Sequence, residues 1–352
     1  MNDNIRKIII STGGTGGHVF AALPVVQELL KQHVNMQVIT DTRGLKYLET
    51  IKSQVPIHVL YMEGLGKQSL LKKLYGGFFL LAATIATFIK FIHDRPTMVI
   101  GFGGHATFPA VLAAVLLRIP VILHEQNSVL GKVNRLLSRF AKIVCTSFQN
   151  TLKVPTKAKI IYTGMPIRFT VTPKKSDKFT LFIMGGSQGS NIFSEVIPEA
   201  IKLLPSKNIK IIQQCRAESL PNVKRIYDEL QIEYELAEFF YAIPEILSKT
   251  DLVISRSGSG SVNEIAGSKI PAIYVPYPYA SDNHQYYNAK AICDIDGGWL
   301  IEQKDFTIER LTDLLSKLIN KPMILSEFSA NLRRVSVASA TDNIIKVIRE
   351  HI

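Results

Sequence analysis

Three glycine-rich segments of this sequence each follow a short apolar run. Ile8-Ile-Ile leads into Ser11-Thr-Gly-Gly-Thr-Gly-Gly-His18, Met98-Val-Ile into Gly101-Phe-Gly-Gly-His105, and Leu181-Phe-Ile-Met into Gly185-Gly-Ser-Gln-Gly-Ser190. A glycine turn after a strand lets backbone N–H groups approach a phosphate, and the helix that follows adds the positive end of its dipole. The pattern predicts phosphate binding at the ends of strands.

Histidines recur at these strand ends. His18, His105 and His124 each follow or end an apolar run. Because an imidazole titrates near physiological pH, one of them can serve as a general base. The alternatives that stay open are hydrogen-bonded scaffold histidines and a zinc site built from all three.

Polar groups in the second half suit a sugar nucleotide. In Arg256-Ser-Gly-Ser-Gly-Ser-Val-Asn-Glu264 the carboxylate of Glu264 falls inside a predicted helix, where it can accept both hydroxyls of a ribose. The amides and imidazole of Asp282-Asn-His-Gln-Tyr-Tyr-Asn-Ala289 suit the hydroxyls of a sugar. Asp294-Ile-Asp296 resembles a metal-binding DxD pair, but it precedes Gly297-Gly298, which indicates a helix end. We therefore predict no metal.

The second glycine turn also matches a dinucleotide-binding pattern. Gly101-Phe-Gly-Gly-His-Ala106 fits G-x-G-x-x-A, and Glu125 follows about 20 residues later. A nicotinamide-dependent enzyme is therefore a formal alternative, although that fingerprint is expected to open the first βαβ unit.

The elements that would position these residues form two similar halves. Apolar runs typical of buried parallel strands also occur at Val121–His124, Lys142–Cys145, Leu252–Ser255 and Ala272–Val275. The segment 164–178 contains two prolines, lacks a helical period and is predicted to be a linker. We expect an α/β fold of two doubly wound Rossmann-like domains facing each other across a cleft, with ligands at the carboxyl ends of the strands.

Composition limits the class of protein. The chain has 352 residues and a net charge of +12, which fits two domains and an anionic partner. Its three cysteines form no CxxC pair, and the apolar run near the N-terminus is shorter than a signal-peptide core. These features predict a cytoplasmic protein. The sequence also lacks zinc-finger and RNA-binding strings, so we expect no nucleic acid.

One apolar segment differs from the rest of the chain. Residues 74–89 contain no charge, but they are shorter than the roughly 20 residues of a spanning helix. Lys72 and Lys73 precede the segment, which begins with Leu74 and includes Phe78 and Phe79. We predict that these residues face a membrane interface with anionic headgroups. The alternative is a buried core helix.

In combination, the strings resemble one family. They are Gly13-Gly-Thr-Gly-Gly-His18, Gly101-Phe-Gly-Gly-His105, His124-Glu-Gln-Asn127, Gly164-Met-Pro-Ile-Arg168, Gly185-Gly-Ser-Gln-Gly189, Arg256-Ser-Gly258 with Glu264, and Asp282-Asn-His-Gln285 with Asn288-Ala289. In order from about residue 8 to residue 303, the sequence resembles the MurG family of bacterial UDP-N-acetylglucosamine transferases in peptidoglycan synthesis.

The resemblance implies a metal-free, cofactor-free inverting glycosyltransferase of the GT-B type. It would transfer N-acetylglucosamine from UDP-N-acetylglucosamine to the C4 hydroxyl of undecaprenyl-pyrophosphoryl-N-acetylmuramyl-pentapeptide, at the cytoplasmic face of the plasma membrane. Anionic lipids and cell-wall or division-complex proteins would be its other partners. It also implies an N-terminal acceptor- and membrane-binding domain at residues 1–163, a C-terminal donor domain at 164–341, and a terminal helix at 342–352 that packs on the N-terminal domain.

The resemblance also implies roles for the residues of this sequence that match the family's functional positions. His18 would be the base, Arg168 and Ser187 would meet the diphosphate, and Glu264 the ribose. The remaining expected contacts are the backbone of Phe240 with uracil, Gln285 with the donor sugar, and Thr15, Gly16, Gly17 and Asn127 on the opposite side. The sequence departs from the family at Ala21, at His284, and at Gln213-Gln-Cys-Arg216, where a glycine-rich segment is expected.

Three other functions remain open on the same architecture. A UDP-sugar 2-epimerase would need no lipid, and a glycolipid synthase would use diacylglycerol as its acceptor. A non-catalytic sensor would bind the UDP-sugar without turnover. Dependence of product formation on the acceptor separates all three from the family's reaction.

Overall fold

The structure of the chain is a computed structural model, which describes residues 7–62, 70–169, 171–172, 174, 178–186, 189–335 and 339–352, with residues 70–74 as backbone only. The chain divides into two compact units: unit 1 is Met1–Arg168 with Val337–Ile352, and unit 2 is Phe169–Ser336. The first boundary lies inside the segment predicted as a linker, a few residues after the expected boundary at 163. The chain returns to unit 1 a few residues before the expected position 342.

Unit 1 is an α/β unit. Its strands are β1 (Ile8–Ser11), β2 (Met36–Asp41), β3 (Ile57–Leu60), β4 (Met98–Gly101), β5 (Val121–Glu125), β6 (Ile143–Thr146) and β7 (Ile160–Tyr162). In the described part of the chain they form a seven-stranded parallel sheet in the order β3-β2-β1-β4-β5-β6-β7. The helices between them are α1 (Gly16–Lys31), α2 (Thr42–Leu45), α3 (Leu70–His93), α4 (Thr107–Leu116) and α5 (Lys132–Leu137).

Unit 2 repeats this plan with its own sheet. Its strands are β8 (Phe179–Met184), β9 (Ile209–Gln214), β10 (Glu233–Ala237), β11 (Leu252–Ser255), β12 (Ala272–Tyr274) and β13 (Gly298–Leu300). Among the described residues these six strands are parallel, in the order β10-β9-β8-β11-β12-β13. Its helices are α6 (Asn191–Leu203), α7 (Leu220–Glu229), α8 (Ile243–Ser248), α9 (Ser259–Gly267), α10 (His284–Cys293), α11 (Ile308–Asn320) and α12 (Pro322–Leu332).

Both sheets reverse their strand order at a glycine turn. β1 pairs with β2 on one side and with β4 on the other, and β8 pairs with β9 and β11 in the same way. Consecutive crossovers therefore leave in opposite directions, which opens a crevice at the carboxyl ends of these strands. The prediction of two doubly wound Rossmann-like halves is confirmed, and the fold places each glycine turn where such sheets bind ligands.

Helix α3 contains the apolar segment and is longer than the sequence predicted. One face packs into unit 1 against α4, with Ala83, Thr87 and Phe91 buried. The other face is exposed at positions three or four residues apart, which are Phe78, Leu81, Ile85, Ile89 and Ile92. The helix is long and apolar enough to cross a membrane by length and composition. Because it packs against α4, the helix is part of the fold of unit 1 and exposes apolar side chains on its opposite face.

The last helix returns to unit 1. α13 (Ala340–His351) packs against α1 and buries Ile344, Ile345 and Ile348. The side chain of Asn343 donates to the carbonyl oxygen of Thr163 at 3.1 Å, and Arg349 donates to Gln32 at 2.7 Å. Apolar burial and these two hydrogen bonds together fix the helix on unit 1.

Candidate functional site

The turn after β1 is held by a buried carboxylate at the end of β2. Oδ1 of Asp41 accepts hydrogen bonds from the backbone N–H groups of Gly14 and Gly44, both at 2.8 Å. Its other oxygen accepts from Nε and Nη2 of Arg43 at 3.2 and 3.1 Å. Because Asp41 is only 1% exposed, water cannot stabilise its carboxylate, and these four donors compensate the charge. The turn therefore has a fixed shape before any ligand binds.

The turn after β4 packs directly on the first turn. Gly104 has φ +81°, and a Cβ atom there would lie 2.7 Å from the carbonyl oxygen of Gly13. Any other residue would separate the two turns, so glycine is required for their contact. The hydroxyl of Thr107 at the start of α4 donates to the carbonyl oxygens of Gly103 at 2.7 Å and Ser11 at 3.1 Å. These bonds fix β1 and β4 relative to each other.

His18 lies where the two turns meet. Its Nδ1 is 3.0 Å from Oγ1 of Thr15, and a Cβ atom at Gly103 would lie 3.1 Å from its Cδ2. Burial lowers the pKa of His18 below the ordinary value of 6.5, while the carboxylate of Glu125 opposes this effect. His18 is therefore neutral near pH 7, which is the form that can accept a proton.

Glu125 organises the loop that follows β5. Its Oε1 accepts from the backbone and side-chain nitrogens of Asn127 at 3.0 and 3.1 Å. Its Oε2 accepts from the backbone N–H of Gly131 at 2.8 Å and from Nδ2 of Asn134 at 2.9 Å. Four donors on one buried carboxylate stabilise its charge and fix Asn127 in place.

The other two histidines have different environments. His105 is exposed in the turn before α4. His124 is fully buried, with Nδ1 2.9 Å from Nε2 of Gln126 and its ring 5.2 Å from that of Phe102. Burial lowers the pKa of His124 to about 4, so it is a neutral core histidine. Within the described ranges, no group of three or more His, Cys, Asp or Glu side chains could hold a metal ion.

Arg168 belongs to unit 1 and lies beside the first helix. Its guanidinium carbon is 4.2 Å from the ring centre of Phe20 on α1. A cation over an aromatic face is stabilised by roughly 0.5–1 kcal/mol at an exposed site. The contact orients the arginine side chain near the first turn of α1.

In unit 2 the turn after β8 is held from the neighbouring strand. Gln214, the last residue of β9, accepts from the backbone N–H of Gly185 at 3.1 Å and donates to the carbonyl oxygen of Gly186 at 3.1 Å. Gly189 has φ +67°, and a Cβ atom there would lie 2.9 Å from Cγ of Arg216. The predicted contact Ser187 lies outside the described residues.

Arg256 joins three loops at the end of the second sheet. It donates to the carbonyl oxygens of Val275 and Pro276 at 3.0 and 3.1 Å, to Oγ of Ser190 at 3.0 Å and to Gln303 at 2.7 Å. Burial lowers its pKa to about 10, so it remains charged at neutral pH. It fixes the loop after β12 to the start of α6.

The predicted ribose and sugar contacts lie on two successive helices. Glu264 is on α9 and is only 8% exposed, so it is not a solvated helix-face glutamate. Oε1 of Gln285 on α10 accepts from the backbone N–H of Tyr277 at 2.9 Å. The side chain of Asn288 on α10 donates to the carbonyl oxygen of Ser257, in the loop that leads into α9, at 3.1 Å.

Phe240 is placed by an aromatic contact beneath it. Its ring is perpendicular to that of Phe182 on β8, with centroids 5.8 Å apart. The loop after β10 that carries Phe240 is therefore anchored on the sheet.

The Asp294-Ile-Asp296 string forms a helix end, as predicted. α10 ends at Cys293, and the backbone N–H groups of Asp296 and Gly297 donate to carbonyl oxygens of the last turn at 3.0 Å. The left-handed residue is Asp296, with φ +53°, rather than a glycine. Asp294 pairs with Lys290 at 2.6 Å.

Three residues that organise the turns were missed by the sequence analysis. They are Asp41, Gln214 and, in its role as a buried acceptor, Glu125. Their only sequence signal is a polar residue at the carboxyl end of an apolar strand, which is also common at solvated strand ends. The structure shows that Asp41 and Gln214 bind the backbone of loops that follow neighbouring strands, and that Glu125 binds the backbone of the loop that follows its own strand.

The chain matches two family models, one in each half. Residues 8–146 match the glycosyltransferase family 28 N-terminal domain, and residues 180–344 match the glycosyltransferase family 28 C-terminal domain. Together the two matches cover the strands of both sheets except β7 and the first residue of β8.

Curated relatives match over nearly the full chain. A protein of Rickettsia bellii named UDP-N-acetylglucosamine–N-acetylmuramyl-(pentapeptide) pyrophosphoryl-undecaprenol N-acetylglucosamine transferase is 40% identical, over 93% of this chain and 95% of that protein. A protein of Rickettsia canadensis with the same name is 38% identical, over 98% of this chain and 100% of that protein. Among solved structures, Acinetobacter baumannii MurG has a TM-score of 0.82 and 31% identity, over 98% of this chain and 99% of that one.

Proposed function

This chain belongs to the MurG family of glycosyltransferases, and we propose that it adds N-acetylglucosamine to the C4 hydroxyl of undecaprenyl-pyrophosphoryl-N-acetylmuramyl-pentapeptide with inversion. The donor is UDP-N-acetylglucosamine and the other product is UDP. The observation that carries this proposal is the 40% identity, over nearly the whole chain, to a transferase of that name. Glycosyltransferase domains match in both halves, as a donor and an acceptor site require.

The acceptor chemistry is assigned to unit 1. The acceptor hydroxyl attacks C1 of the donor sugar while its proton moves to Nε2 of His18. With the other proton on Nδ1, the imidazole donates to Oγ1 of Thr15, 3.0 Å away, and Nε2 becomes the basic nitrogen. The carboxylate of Glu125 stabilises the imidazolium that forms.

The donor chemistry is assigned mainly to unit 2. As the bond from C1 to the diphosphate oxygen breaks, the bonding pair and a negative charge move onto UDP. Backbone N–H groups after β8 and the N-terminus of α6 can stabilise that charge, and the family resemblance assigns a further cation to Arg168. Glu264 accepts the ribose hydroxyls, and the backbone near Phe240 binds uracil. These groups supply the stabilisation without a metal or cofactor.

The protein acts at the cytoplasmic face of the plasma membrane, where its lipid-linked acceptor lies. The outer face of α3 supports this location, because Tyr75, Phe78 and Leu81 are each more than half exposed. Leu116 at the end of α4 and Phe140 after α5 are also more than half exposed, and the guanidinium carbon of Arg139 lies 5.7 Å from the ring centre of Phe140. Exposed apolar side chains next to cations suit the interface of an anionic bilayer. Of the predicted membrane residues, Phe79 is half-buried, and the side chains of Lys72, Lys73 and Leu74 lie outside the described residues.

The test is transfer of labelled N-acetylglucosamine to the lipid-linked muramyl-pentapeptide in detergent, with and without EDTA. We expect the lipid product in both samples. Product only without EDTA would contradict metal-free chemistry. Binding of the donor without any lipid product would contradict the acceptor assignment, and trials with diacylglycerol and with no acceptor would then identify a glycolipid synthase or a 2-epimerase.

A further inference from the structure

Gln214 connects two loops of unit 2 that are far apart in sequence. At the end of β9 its side-chain oxygen accepts from the N–H of Gly185 at 3.1 Å. Its side-chain nitrogen donates to the carbonyl oxygen of Gly186 at 3.1 Å and to that of Glu238 at 3.0 Å. Gly185 and Gly186 begin the turn after β8, and Glu238 lies in the loop after β10.

The position of Gln214 in the sheet makes this connection possible. β9 lies between β8 and β10, so its last residue reaches the loops that follow both neighbours. Gln214 is 8% exposed, and its amide uses one acceptor and two donors on backbone atoms. A primary amide offers an acceptor oxygen and two N–H donors on one planar end, whereas a carboxylate only accepts and a hydroxyl has a single donor.

We propose that Gln214 is a positioning residue that sets the spacing between the diphosphate-binding turn and the uracil-binding loop of the donor site. The proposal rests on the proposed function, in which the turn after β8 holds the diphosphate and the loop carrying Phe240 holds the base. Phe240 follows Glu238 by two residues, so the bond to Glu238 fixes the start of the base-binding segment. The bonds of the Gln214 amide to Gly185, Gly186 and Glu238 all go to backbone atoms, so the proposal assigns it no contact with the donor itself.

A fixed distance between the two loops increases the affinity only of ligands that contact both loops. UDP contacts the turn and the base loop together, so its affinity depends on their separation, because a preorganised site avoids the cost of ordering. Uridine lacks the diphosphate, so in the proposed site it contacts the base loop and Glu264 but not the turn after β8, and its affinity does not depend on the distance between the turn and the base loop. Loss of the hydrogen bonds of Gln214 should therefore reduce the affinity for UDP much more than the affinity for uridine. General destabilisation of unit 2 would reduce both affinities alike.

The neighbouring residue provides a matched control. Gln213 is also a buried glutamine on β9, but its Oε1 accepts from the hydroxyl of Tyr227 at 2.5 Å on α7, away from both loops. The same substitution at Gln213 therefore disturbs the interior of unit 2 without breaking the bonds to Gly186 and Glu238.

The experiment compares the full-length protein with its Gln214→Glu and Gln213→Glu variants. Glutamate keeps the acceptor for Gly185 and loses both donated bonds. The dissociation constants of UDP and uridine are measured by calorimetry, with thermal unfolding recorded for each variant. We expect Gln214→Glu to raise the dissociation constant of UDP about tenfold or more and that of uridine less than about twofold. Tenfold corresponds to about 1.4 kcal/mol, of the order of two hydrogen bonds. Gln214→Asn keeps the amide but is too short for all three bonds, and it should give the same pattern if Gln214→Glu does not fold.

Three results would overturn the proposal: unchanged UDP affinity, equal losses for UDP and uridine, or an equal loss of UDP affinity in Gln213→Glu. The proposed function is checked separately by lipid product from the unsubstituted protein. UDP affinity that depends on Gln214 without lipid product would refute the acceptor assignment and leave the positioning role in place.

Discussion

The hydroxyl oxygen of Thr15 lies 3.0 Å from Nδ1 of His18, one turn away at the start of the same helix. The pair sits where the turns after β1 and β4 meet, with Glu125 close enough for its charge to act on the imidazole. A base whose ring is oriented by a hydrogen-bonding neighbour is the arrangement that proton abstraction from an acceptor hydroxyl requires.

Removing the imidazole should slow the chemical step. We expect His18→Ala to lower kcat by around 100-fold or more, because a positioned base contributes about that much. The measurement is transfer to the lipid acceptor at saturating concentrations of both substrates. A rise in KM with unchanged kcat would refute the base role, and unchanged UDP affinity would show that the donor site is intact.

Removing the hydroxyl of Thr15 should have a smaller effect. Thr15→Val keeps the shape of the side chain but removes the hydroxyl that lies 3.0 Å from Nδ1 of His18. One hydrogen bond is worth about 1 kcal/mol, so we expect kcat to fall about fivefold. Thr15→Ser restores the hydroxyl and should recover most of the activity. If valine and serine behave alike, the hydroxyl does not orient His18.

The activity should depend on pH through His18. Burial lowers the pKa of this residue below 6.5, and only the neutral imidazole accepts a proton. We therefore expect kcat/KM to be flat near pH 7 and to fall with a midpoint below pH 6.5. Initial rates between pH 4.5 and 8 provide the measurement. An acid limb centred above pH 6.5, or one that persists in His18→Ala, would contradict the assignment.

The stability should depend on pH through His124. This buried residue has a pKa of about 4 when folded, against 6.5 ordinarily, so the unfolded chain binds its proton first as the pH falls. The free energy of unfolding therefore decreases from about pH 6.5 down to pH 4, by about 3 kcal/mol from this residue, and is unaffected by it above pH 7. Urea unfolding at several pH values should show that the free energy of unfolding decreases less steeply with falling pH in His124→Asn than in the unsubstituted protein. Identical slopes would disprove the linkage.

The exposed face of α3 should bind membranes. Ile85→Glu places a charge at a half-exposed position on that face, so we expect binding to phosphatidylglycerol-containing vesicles to fall about tenfold. Met323→Glu is the control, because Met323 is 83% exposed and belongs to unit 2. Transfer in detergent should be unchanged in both variants. Equal vesicle binding by the two would exclude α3 as the membrane contact.

Seven of the strands were predictable because they are short apolar runs, three of which lead into glycine turns. Leu252–Ser255 is one such run, and every one of its residues is buried. The edge strand Glu233–Ala237 was not predicted, since it alternates charged and apolar residues and binds Lys210 through Glu233 and Glu235. Edge strands have one free side, so their sequences carry less of the apolar signal.

The glycine turns were predictable, but the groups that hold them were not. Asp41 and Gln214 act across the sheet on turns that follow a different strand, and such pairs depend on strand order. Strand order is a long-range property, which local sequence patterns do not contain. The roles of His18, Arg168, Glu264 and Gln285 stay predictions, for which the structure supplies the geometry to be tested.

The return of α13 to unit 1 has a consequence for biosynthesis. Ile344 and Ile348 cover α1, but residues 169–336 are translated between the two helices. At roughly 5–20 residues per second, the ribosome needs many seconds to make that stretch. Unit 2 can complete its fold before α13 is available to pack on α1. Unit 1 is therefore translated first but completes its packing after unit 2.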